Sequence, residues 1–276
     1  MGVGSWGRPA EGIRPSLPEH FCVTQHPTPN TQDRQFTLIA RHYDDLMAGV
    51  GYRHWVIYVE EILSRMNYHP RTVLDVACGT GNVSEILASH GFEVVGIDIA
   101  PEMIEVARAK ESRVEYHVQD VAELDLGRGF DLAVCLFDSL NYVTDPDRAA
   151  LGIKRVGEHM VPGGIFIFDI NTVYALSHRF FDQASLSPEH YPRYVWNSHY
   201  DHETRICRVD MMFEVVEDGE PKQFREVHYQ RGHSIEELTQ WLIDGGMEVV
   251  DIFHAYRFRK PTRRSDRVFF VARKRA

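Results

Sequence analysis

The chain has 276 residues, of which 43% are hydrophobic and 25% are charged, and its formal net charge is −10. This length and apolar content predict one large domain, or one domain that carries an insertion. The excess of acidic residues disfavours unspecific attraction to nucleic acid. No stretch approaches the ~20 apolar residues that a membrane-spanning helix requires.

The four cysteines are scattered, with no Cys-x-x-Cys pair: Cys22, Cys78, Cys135 and Cys207. This spacing argues against a zinc site and against a disulfide framework. The N-terminus also lacks the charged, apolar and small-residue pattern of a signal peptide. We therefore expect a cytoplasmic protein, either a monomer or a homodimer, with no metal site.

The N-terminal residues divide into a polar arm and two helices. Residues 1–31 are rich in proline and polar residues without periodicity, which predicts a mobile arm. Helical spacing then predicts a helix from Asp33 with an inward face of Phe36, Ile39, Ala40, Tyr43 and Met47. Gly49 and Gly51 end it. A second helix presents Trp55, Val59, Ile62 and Leu63 on one face.

Strands and helices alternate through the next hundred residues. Apolar runs predict strands at Val73–Val76, Glu93–Asp98, Arg113–Val118, Phe130–Phe137 and Ile165–Asp169. Helical spacing follows from Val83, from Pro101 and from about Asp145 to Met160. This alternation predicts a doubly wound, mostly parallel α/β core.

A period of two replaces that pattern from about Tyr194 to Arg231. The dipeptide Asp218-Gly219 is a strong hairpin signal, which predicts a small antiparallel sheet inserted as a cap over residues 176–231. A two-residue loop would pair Phe213 with Phe224, Met211 with Glu226 and Val209 with His228. Glu226 and His228 would then share the apolar face of the cap, whereas a one-residue bulge would turn both into solvent.

The chain returns to the core over residues 232–276, which complete the domain begun at residues 32–175. A helix is predicted at Ile235–Ile243 and strands at Met247–His254 and Arg267–Ala272. The connection between the two strands is too short for a helical crossover, so the seven-stranded sheet should end in an antiparallel hairpin. Nine Lys or Arg residues against one acid from Arg257 to Ala276 indicate either a solvated basic tail or an anionic partner.

The chemistry centres on the stretch from Val73 to Ser84, VLDVACGTGNVS. Strand, glycine turn and helix N-terminus together suit a carboxylate, a phosphate or a ribose. Asp98 ends the second strand, where an acid accepts ribose hydroxyls. Ser84 stands where the dinucleotide fingerprint has its third glycine, which disfavours a pyrophosphate.

These motifs resemble those of the class I S-adenosylmethionine-dependent methyltransferases. Leu74–Gly81 is similar to their motif I, Asp98–Met103 to their acidic-loop motif, and Gln119–Val121 to the loop that meets the adenine amino group. The order of elements, including the final antiparallel strand, matches the fold of that family. The resemblance extends from about Phe36 to Ala272 and is strongest to a small bacterial branch with an antiparallel cap after the fifth strand.

The resemblance implies S-adenosylmethionine as cofactor and assigns residues to it. The expected cofactor contacts are Tyr43, Asp75, Ala77, Gly79, Gly81, Asp98, Ile99, Met103, Asp120, Val121 and Phe137. In this assignment Asp98 holds the ribose and Asp120 the adenine amino group, while Tyr43 closes over the cofactor. Met103 and Trp55 remain open between a cofactor role and core packing.

The expected acceptor is a small molecule with an N or O nucleophile, bound under the cap. His228, Asp138 and Tyr142 are candidates for a base or an orienting group, and His228 or Glu226 is expected to contact the acceptor. Three alternatives stay open: an NAD-dependent oxidoreductase, a nucleoside-binding module without turnover, and an RNA methyltransferase that uses the basic C-terminal segment.

Overall fold

A computed structural model describes residues 35–185 and 191–276. The predicted N-terminal arm lies outside these residues. The strands are β1 Thr72–Val76, β2 Glu93–Asp98, β3 Glu115–Val118, β4 Phe130–Cys135, β5 Met160–Asn171, β6 Gln183–Ser185, β7 Arg193–Asp201, β8 Ile206–Glu217, β9 Glu220–Arg231, β10 Met247–His254 and β11 Arg267–Lys274. The α-helices are α1 Tyr43–Leu46, α2 Tyr52–Arg65, α3 Asn82–Ser89, α4 Pro101–Arg108, α5 Pro146–Glu158, α6 Val173–Ser177 and α7 Ile235–Asp244.

Seven strands form one sheet in the order β3-β2-β1-β4-β5-β11-β10. The first five are parallel, and β11 lies antiparallel between β5 and β10. The predicted terminal hairpin and the doubly wound fold are therefore confirmed. Because the strand order reverses beside β1, a crevice opens at the carboxyl ends of β1 and β4.

Helices cover both faces of this sheet. Trp55, Val59 and other side chains of α2 pack with α3 and α4 against one face, where Val73 and Leu132 lie. Helices α5 and α7 cover the opposite face, where Leu74 and the side chains of alternate strand positions are buried. No helix in the described part of the chain is long and apolar enough to cross a membrane.

The inserted cap is a second, antiparallel sheet in the order β6-β7-β8-β9. Its hairpin turns at Asp218 and Gly219, both with positive φ (54° and 82°), as a type I′ turn demands. The predicted register is confirmed, because Met211 pairs with Glu226 and Val209 with His228. Both polar side chains are buried, with residue exposures of 5% and 1%.

The predicted helix from Asp33 is wrong over its first half, and Asp33 itself lies outside the described residues. Helical structure begins only with a 3₁₀ turn at Ala40–His42, which continues into α1. Phe36 has a φ of +64°, and the backbone N–H groups of Leu38 and Ile39 donate to Oε1 of Glu226 at 2.7 and 3.1 Å. Contacts with the distant cap thus override a local helical pattern.

Several strand boundaries also differ from prediction. Strand β3 begins at Glu115 rather than Arg113, β4 ends at Cys135 rather than Phe137, and β5 spans Met160–Asn171 rather than Ile165–Asp169. The second difference matters for function, because Phe137 and Asp138 leave the strand in the left-handed conformation, with φ of 64° and 52°.

Asn141 ties the cap to the core. Its Nδ2 donates to the carbonyl oxygens of Asn171 at 3.0 Å and Arg231 at 2.8 Å, and its Oδ1 accepts from the backbone N–H of Asn171 at 2.9 Å. The side chain is fully buried. One amide therefore satisfies backbone groups at the end of β5 and at the end of β9, where the insertion begins and ends.

We predict that Asn141→Ala lowers the free energy of unfolding by about 2–4 kcal/mol, since it leaves buried backbone groups without partners. Denaturant unfolding measures this change. Asn197→Ala, on the exposed side of β7, is the matched control and should change stability by less than about 0.5 kcal/mol. Equal effects of the two substitutions would contradict the assigned role of Asn141.

Candidate functional site

A cavity of about 890 Å³ lies at the carboxyl ends of β1, β2 and β4, below the cap and the segment of residues 35–47. The predicted residues on its wall are Tyr43, Asp75, Ala77, Gly79, Asp98, Ile99, Met103, Asp120, Val121, Phe137, Asp138, Tyr142 and His228. Of the predicted cofactor contacts, Gly81 does not line it, and neither does Glu226, the alternative acceptor contact. The structure thus brings together residues that are up to 185 positions apart in the sequence, from Tyr43 to His228.

The two glycines of the turn after β1 have different tasks. Both have positive φ, 56° at Gly79 and 82° at Gly81, which favours glycine. A Cβ on Gly79 would meet no atom within 4 Å, so the turn is open to the cavity there. A Cβ on Gly81 would stand 2.2 Å from Oη of Tyr116, so Gly81 allows close packing beneath the site instead.

Asp98 lies at the end of β2 with its carboxylate held by two backbone donors. Its Oδ2 accepts from the N–H of Gly79 and its Oδ1 from that of Ala100, both at 2.9 Å. Burial raises the pKa of Asp98, while these two donors oppose the rise. Each oxygen keeps a lone pair for a further donor, as a pair of ribose hydroxyls would supply.

Asp75 lies at the base of the cavity and is bonded to Ser84. The hydroxyl of Ser84 donates to Oδ2 at 2.6 Å, which explains why serine suits this point of α3. Burial raises the pKa of Asp75 to about 7, and the bond from Ser84 only partly offsets that effect.

Asp120 is already engaged by a residue that the sequence did not point to. Its Oδ1 accepts from the N–H of Ala122 at 2.8 Å, and its Oδ2 from Nη2 of Arg148 at 2.5 Å. Arg148 also lines the cavity. The sequence analysis did not identify Arg148, which lies in α5 and engages Asp120 at this side of the cavity.

The turn after β4 is held by a buried group of charges. The N–H groups of Phe137 and Asp138 donate to the two oxygens of Asp169 at 2.8 and 3.0 Å. Arg267, at the start of β11, bonds to Asp169 and, at 2.6 Å, to Asp138. Burial alone would lower the pKa of Arg267, but the two carboxylates raise it above its usual range, so the guanidinium stays charged.

Aromatic packing fixes Phe137 from behind. Trp55 is stacked on it with ring centroids 3.5 Å apart and is itself only 3% exposed. Trp55 does not line the cavity, so the structure favours its core interpretation. Met103 is both buried and on the cavity wall, so the two interpretations of that residue are compatible.

Residues 35–47 close the cavity from above and are fastened on the glycine-turn side. Asp44 accepts from Oγ1 of Thr80 at 2.5 Å and from Nδ2 of Asn82 at 2.8 Å, and it pairs with Lys110 at 2.9 Å. Burial raises the pKa of Tyr43 well above its usual range, so its phenol stays protonated in the cavity wall.

The cap contributes an apolar wall with one imidazole. Trp196, Met211, Phe213 and His228 face the cavity, together with Phe181 from the preceding loop. Glu226 does not line the cavity, although it is the neighbour of His228 on the same face of β9. The predicted acceptor contact therefore narrows to His228.

The residues present fit S-adenosylmethionine. Gly79 is open to the cavity, and the Asp98 carboxylate has acceptor capacity for ribose hydroxyls. Asp75 is a buried acid near the turn whose pKa is raised by burial. Within the described residues no group of three or more His, Cys, Asp or Glu side chains could hold a metal ion. Fold and site together define a Rossmann-like enzyme that binds a nucleoside-bearing cofactor at the ends of β1 and β2.

Comparisons with known proteins make this class specific. A family model described as a methyltransferase domain matches residues 73–164. A protein of Geobacillus sp. (strain WCH70) named as a methyltransferase is 30% identical over 238 residues, 84% of this chain and 96% of the relative. The crystal structure of an S-adenosylmethionine-dependent methyltransferase from Clostridium acetobutylicum ATCC 824 has a TM-score of 0.75 and 28% identity. The superposition covers 87% of this chain and 99% of the chain in that crystal structure.

The chain therefore belongs to the class I S-adenosylmethionine-dependent methyltransferases. This membership decides against the NAD-dependent oxidoreductase that the glycine turn alone left open. A further relative, the dTDP-4-amino-2,3,4,6-tetradeoxy-D-glucose N,N-dimethyltransferase of Saccharopolyspora spinosa, is 26% identical over 211 residues. That match covers 74% of this chain and 83% of the relative.

The raised pKa of Asp75 predicts a pH-dependent stability. A folded-state pKa of about 7, above the ordinary unfolded value, makes the ionised form costly in the fold. The cost is small near pH 4 and grows as the pH rises through 7, by roughly 2–3 kcal/mol between pH 5 and pH 8. In protein freed of cofactor, Asp75→Asn should therefore raise Tm at pH 8 much more than at pH 5.

Thermal unfolding at the two pH values measures this difference. Asp147→Asn, at an exposed carboxyl of α5, is the control, and its effect should be the same at both. A Tm difference for Asp75→Asn that does not grow with pH would show that the fold does not raise the pKa of Asp75.

Proposed function

We propose that this enzyme methylates an N or O nucleophile of a small molecule bound under the β cap. One observation carries the proposal: a single cavity runs from the glycine turn to the apolar face of the cap. Donor and acceptor can therefore lie in one enclosed space, which direct transfer between them requires.

The two ends of the cavity differ in chemistry. The acids on the wall, among them Asp75, Asp98 and Asp120, belong to the core. The cap side is aromatic and apolar, and in the described residues it contributes no Lys or Arg to the wall. Such a chamber suits a small acceptor without an anionic group, because an anion would find no counter-charge there.

Bound S-adenosylmethionine supplies an electrophilic methyl group on a sulfonium centre. The protein's part is to hold and orient the reactants, a contribution that can reach ~7–11 kcal/mol when the geometry is well aligned. Asp98 would hold the ribose, Phe137 would pack beside the sulfonium, and residues 35–47 would exclude water. His228 would contact the acceptor nucleophile.

The relative from Saccharopolyspora spinosa supports a small-molecule acceptor, since its name describes a dTDP-linked amino sugar as substrate. That nucleotide carries an anionic diphosphate, for which the described residues on the cap side of the cavity include no Lys or Arg, so the relative supports the size of the acceptor and not its charge. The basic C-terminal segment supports RNA as the alternative acceptor. A screen of small amines, hydroxy compounds, carboxylates and RNA, with S-adenosylhomocysteine formation as the signal, separates these cases. Turnover of RNA alone, or of no acceptor, would contradict the proposal.

We predict that Asp98→Asn weakens S-adenosylhomocysteine binding by about 10–100-fold, because a charged hydrogen-bond acceptor is lost. Isothermal titration calorimetry measures the Kd. Asp244→Asn, at an exposed carboxyl of α7, removes the same charge outside the cavity and should leave the Kd unchanged. An unaltered Kd for Asp98→Asn would exclude the assigned ribose contact.

We predict that His228→Ala lowers kcat/KM by about 100-fold or more while the Kd for S-adenosylhomocysteine stays the same, because His228 lies at the acceptor end. The matched control is His199→Ala, on the exposed side of β7. Loss of cofactor affinity, or full activity, in the His228 variant would show that His228 does not serve the acceptor.

A further inference from the structure

Glu226 gathers two backbone N–H donors and one imidazole nitrogen around its carboxylate. Its Oε1 accepts from the backbone N–H groups of Leu38 at 2.7 Å and Ile39 at 3.1 Å. Its Oε2 lies 2.7 Å from Nε2 of His228. The carboxylate is buried. It faces residues 35–47, the lid over the cavity, on one side and the imidazole on the other.

This arrangement favours a proton on Nε2 of His228. An ionised carboxylate only accepts hydrogen bonds, so the 2.7 Å contact requires a proton on Nε2. In the neutral imidazole Nδ1 then has a free lone pair. The contact of Nε2 with Glu226 thus makes Nδ1 a hydrogen-bond acceptor.

Nδ1 of His228 is buried and has no hydrogen-bond partner among the described residues. His228 lines the cavity, and its ring lies between those of Phe36 and Tyr142, with centroids 4.4 and 5.8 Å away. A buried acceptor without a donor is costly. This atom has almost no surface open to the cavity, so a bound molecule satisfies it only when the neighbouring rings of Phe36 and Tyr142 shift to expose it.

We propose that Glu226 is a positioning residue that holds His228 as the Nε2–H tautomer, and that Nδ1 takes the proton of the methyl acceptor. The inference rests on the proposed function and narrows its acceptor to a neutral O–H or N–H nucleophile on an uncharged, apolar skeleton. The acceptor's O–H or N–H bond breaks, its proton passes to Nδ1, and the electron pair left behind forms the new bond to the methyl carbon. The pair of the former carbon–sulfur bond stays on sulfur, and the imidazolium later gives its proton to water.

The other two candidates for a base are already occupied or unsuited. Both oxygens of Asp138 are bonded, Oδ1 to Arg267 at 2.6 Å and Oδ2 to Nε2 of Gln230 at 2.8 Å. Burial raises the pKa of the Tyr142 phenol far above its usual range, so Tyr142 remains a donor. His228 alone of the three presents a lone pair with no partner.

The first test is ¹⁵N NMR of histidine-labelled enzyme near neutral pH with S-adenosylhomocysteine bound, with the His228 signals assigned by their loss in His228→Gln. The expected result is a neutral ring with a proton on Nε2 and a pyridine-like Nδ1. A proton on Nδ1, in either the other tautomer or the imidazolium, would overturn the proposal. This test needs no acceptor, so it stands even if the proposed function fails.

Three probes of similar size then test the lone pair. p-Cresol offers an O–H and p-toluidine an N–H, whereas toluene offers neither. Either donor probe should shift the Nδ1 signal of His228, and toluene should leave it unchanged. A shift with cresol only indicates a hydroxyl acceptor, and a shift with toluidine only indicates an amine. Equal shifts with all three, or none, would contradict the assigned acceptor contact.

Glu226→Gln tests the positioning role. Two backbone donors face Oε1, so the glutamine oxygen should turn to that side and its NH₂ should face Nε2, which moves the imidazole proton to Nδ1. With an acceptor found in the screen, kcat should fall by about 10²-fold or more while the Kd for S-adenosylhomocysteine is unchanged. Unchanged kcat, or an unchanged tautomer, would overturn the role of Glu226.

The control variant is Glu217→Gln, which alters another contact between the cap and the lid. Oε1 of Glu217 lies 3.0 Å from Nε2 of His42. Glu217 ends β8, eight positions from Val209, the residue that pairs with His228 of β9. This variant should keep both the tautomer and kcat. A matching loss of kcat in Glu217→Gln would show that lid attachment, rather than the tautomer, is what Glu226 provides. If Glu226→Gln fails to fold, the wild-type tautomer and the three probes still decide the proposal.

Discussion

The site depends on one buried ionic contact, that of Arg267 with Asp138 and Asp169. The chain turns where β4 ends, and Phe137 and Asp138 form this turn in the left-handed conformation. That conformation costs about 1–3 kcal/mol for each residue other than glycine. Asp169 accepts both of their N–H groups, and Arg267 neutralises the two carboxylates. Since removing one partner of a buried ion pair typically costs 3–5 kcal/mol, the shape of the cavity floor depends on the first residue of the last strand.

That contact gives the antiparallel hairpin a reason beyond completing the sheet. Pairing of β11 with β5 sets Arg267 opposite Asn171, beside the end of β4. Gln230 of the cap donates to Asp138 through Nε2, and its Oε1 accepts from Nδ2 of Asn171 at 3.2 Å. The cap is therefore joined to the turn after β4 by polar groups, although it packs on residues 35–47 and α6 mainly through apolar ones.

Much of this fold could be predicted, because its signals are local. Apolar runs ending in acids gave the parallel strands, and Asp218-Gly219 set the cap register to the residue, which placed Glu226 and His228 on the buried face. The first helix failed because Glu226, 188 positions away, binds the N–H of Leu38. Arg148, Asp169 and Arg267 were missed for the same reason, since a charged residue in a strand or helix does not reveal its distant partner.

The division between core and cap explains why the methyl donor is easier to infer than the acceptor. The donor end is built largely from backbone turns and acids at strand ends, which need glycine and Asp at set spacings and so leave a motif. The acceptor end is built from alternate residues of β7, β8 and β9, where Trp196, Met211 and Phe213 are also ordinary core side chains. What distinguishes that wall is a single nitrogen of His228 with no partner, and its state is decided by Glu226 from outside the cavity. Residue spacing placed both side chains on the buried face of the cap, but it does not show which of their atoms lack a partner.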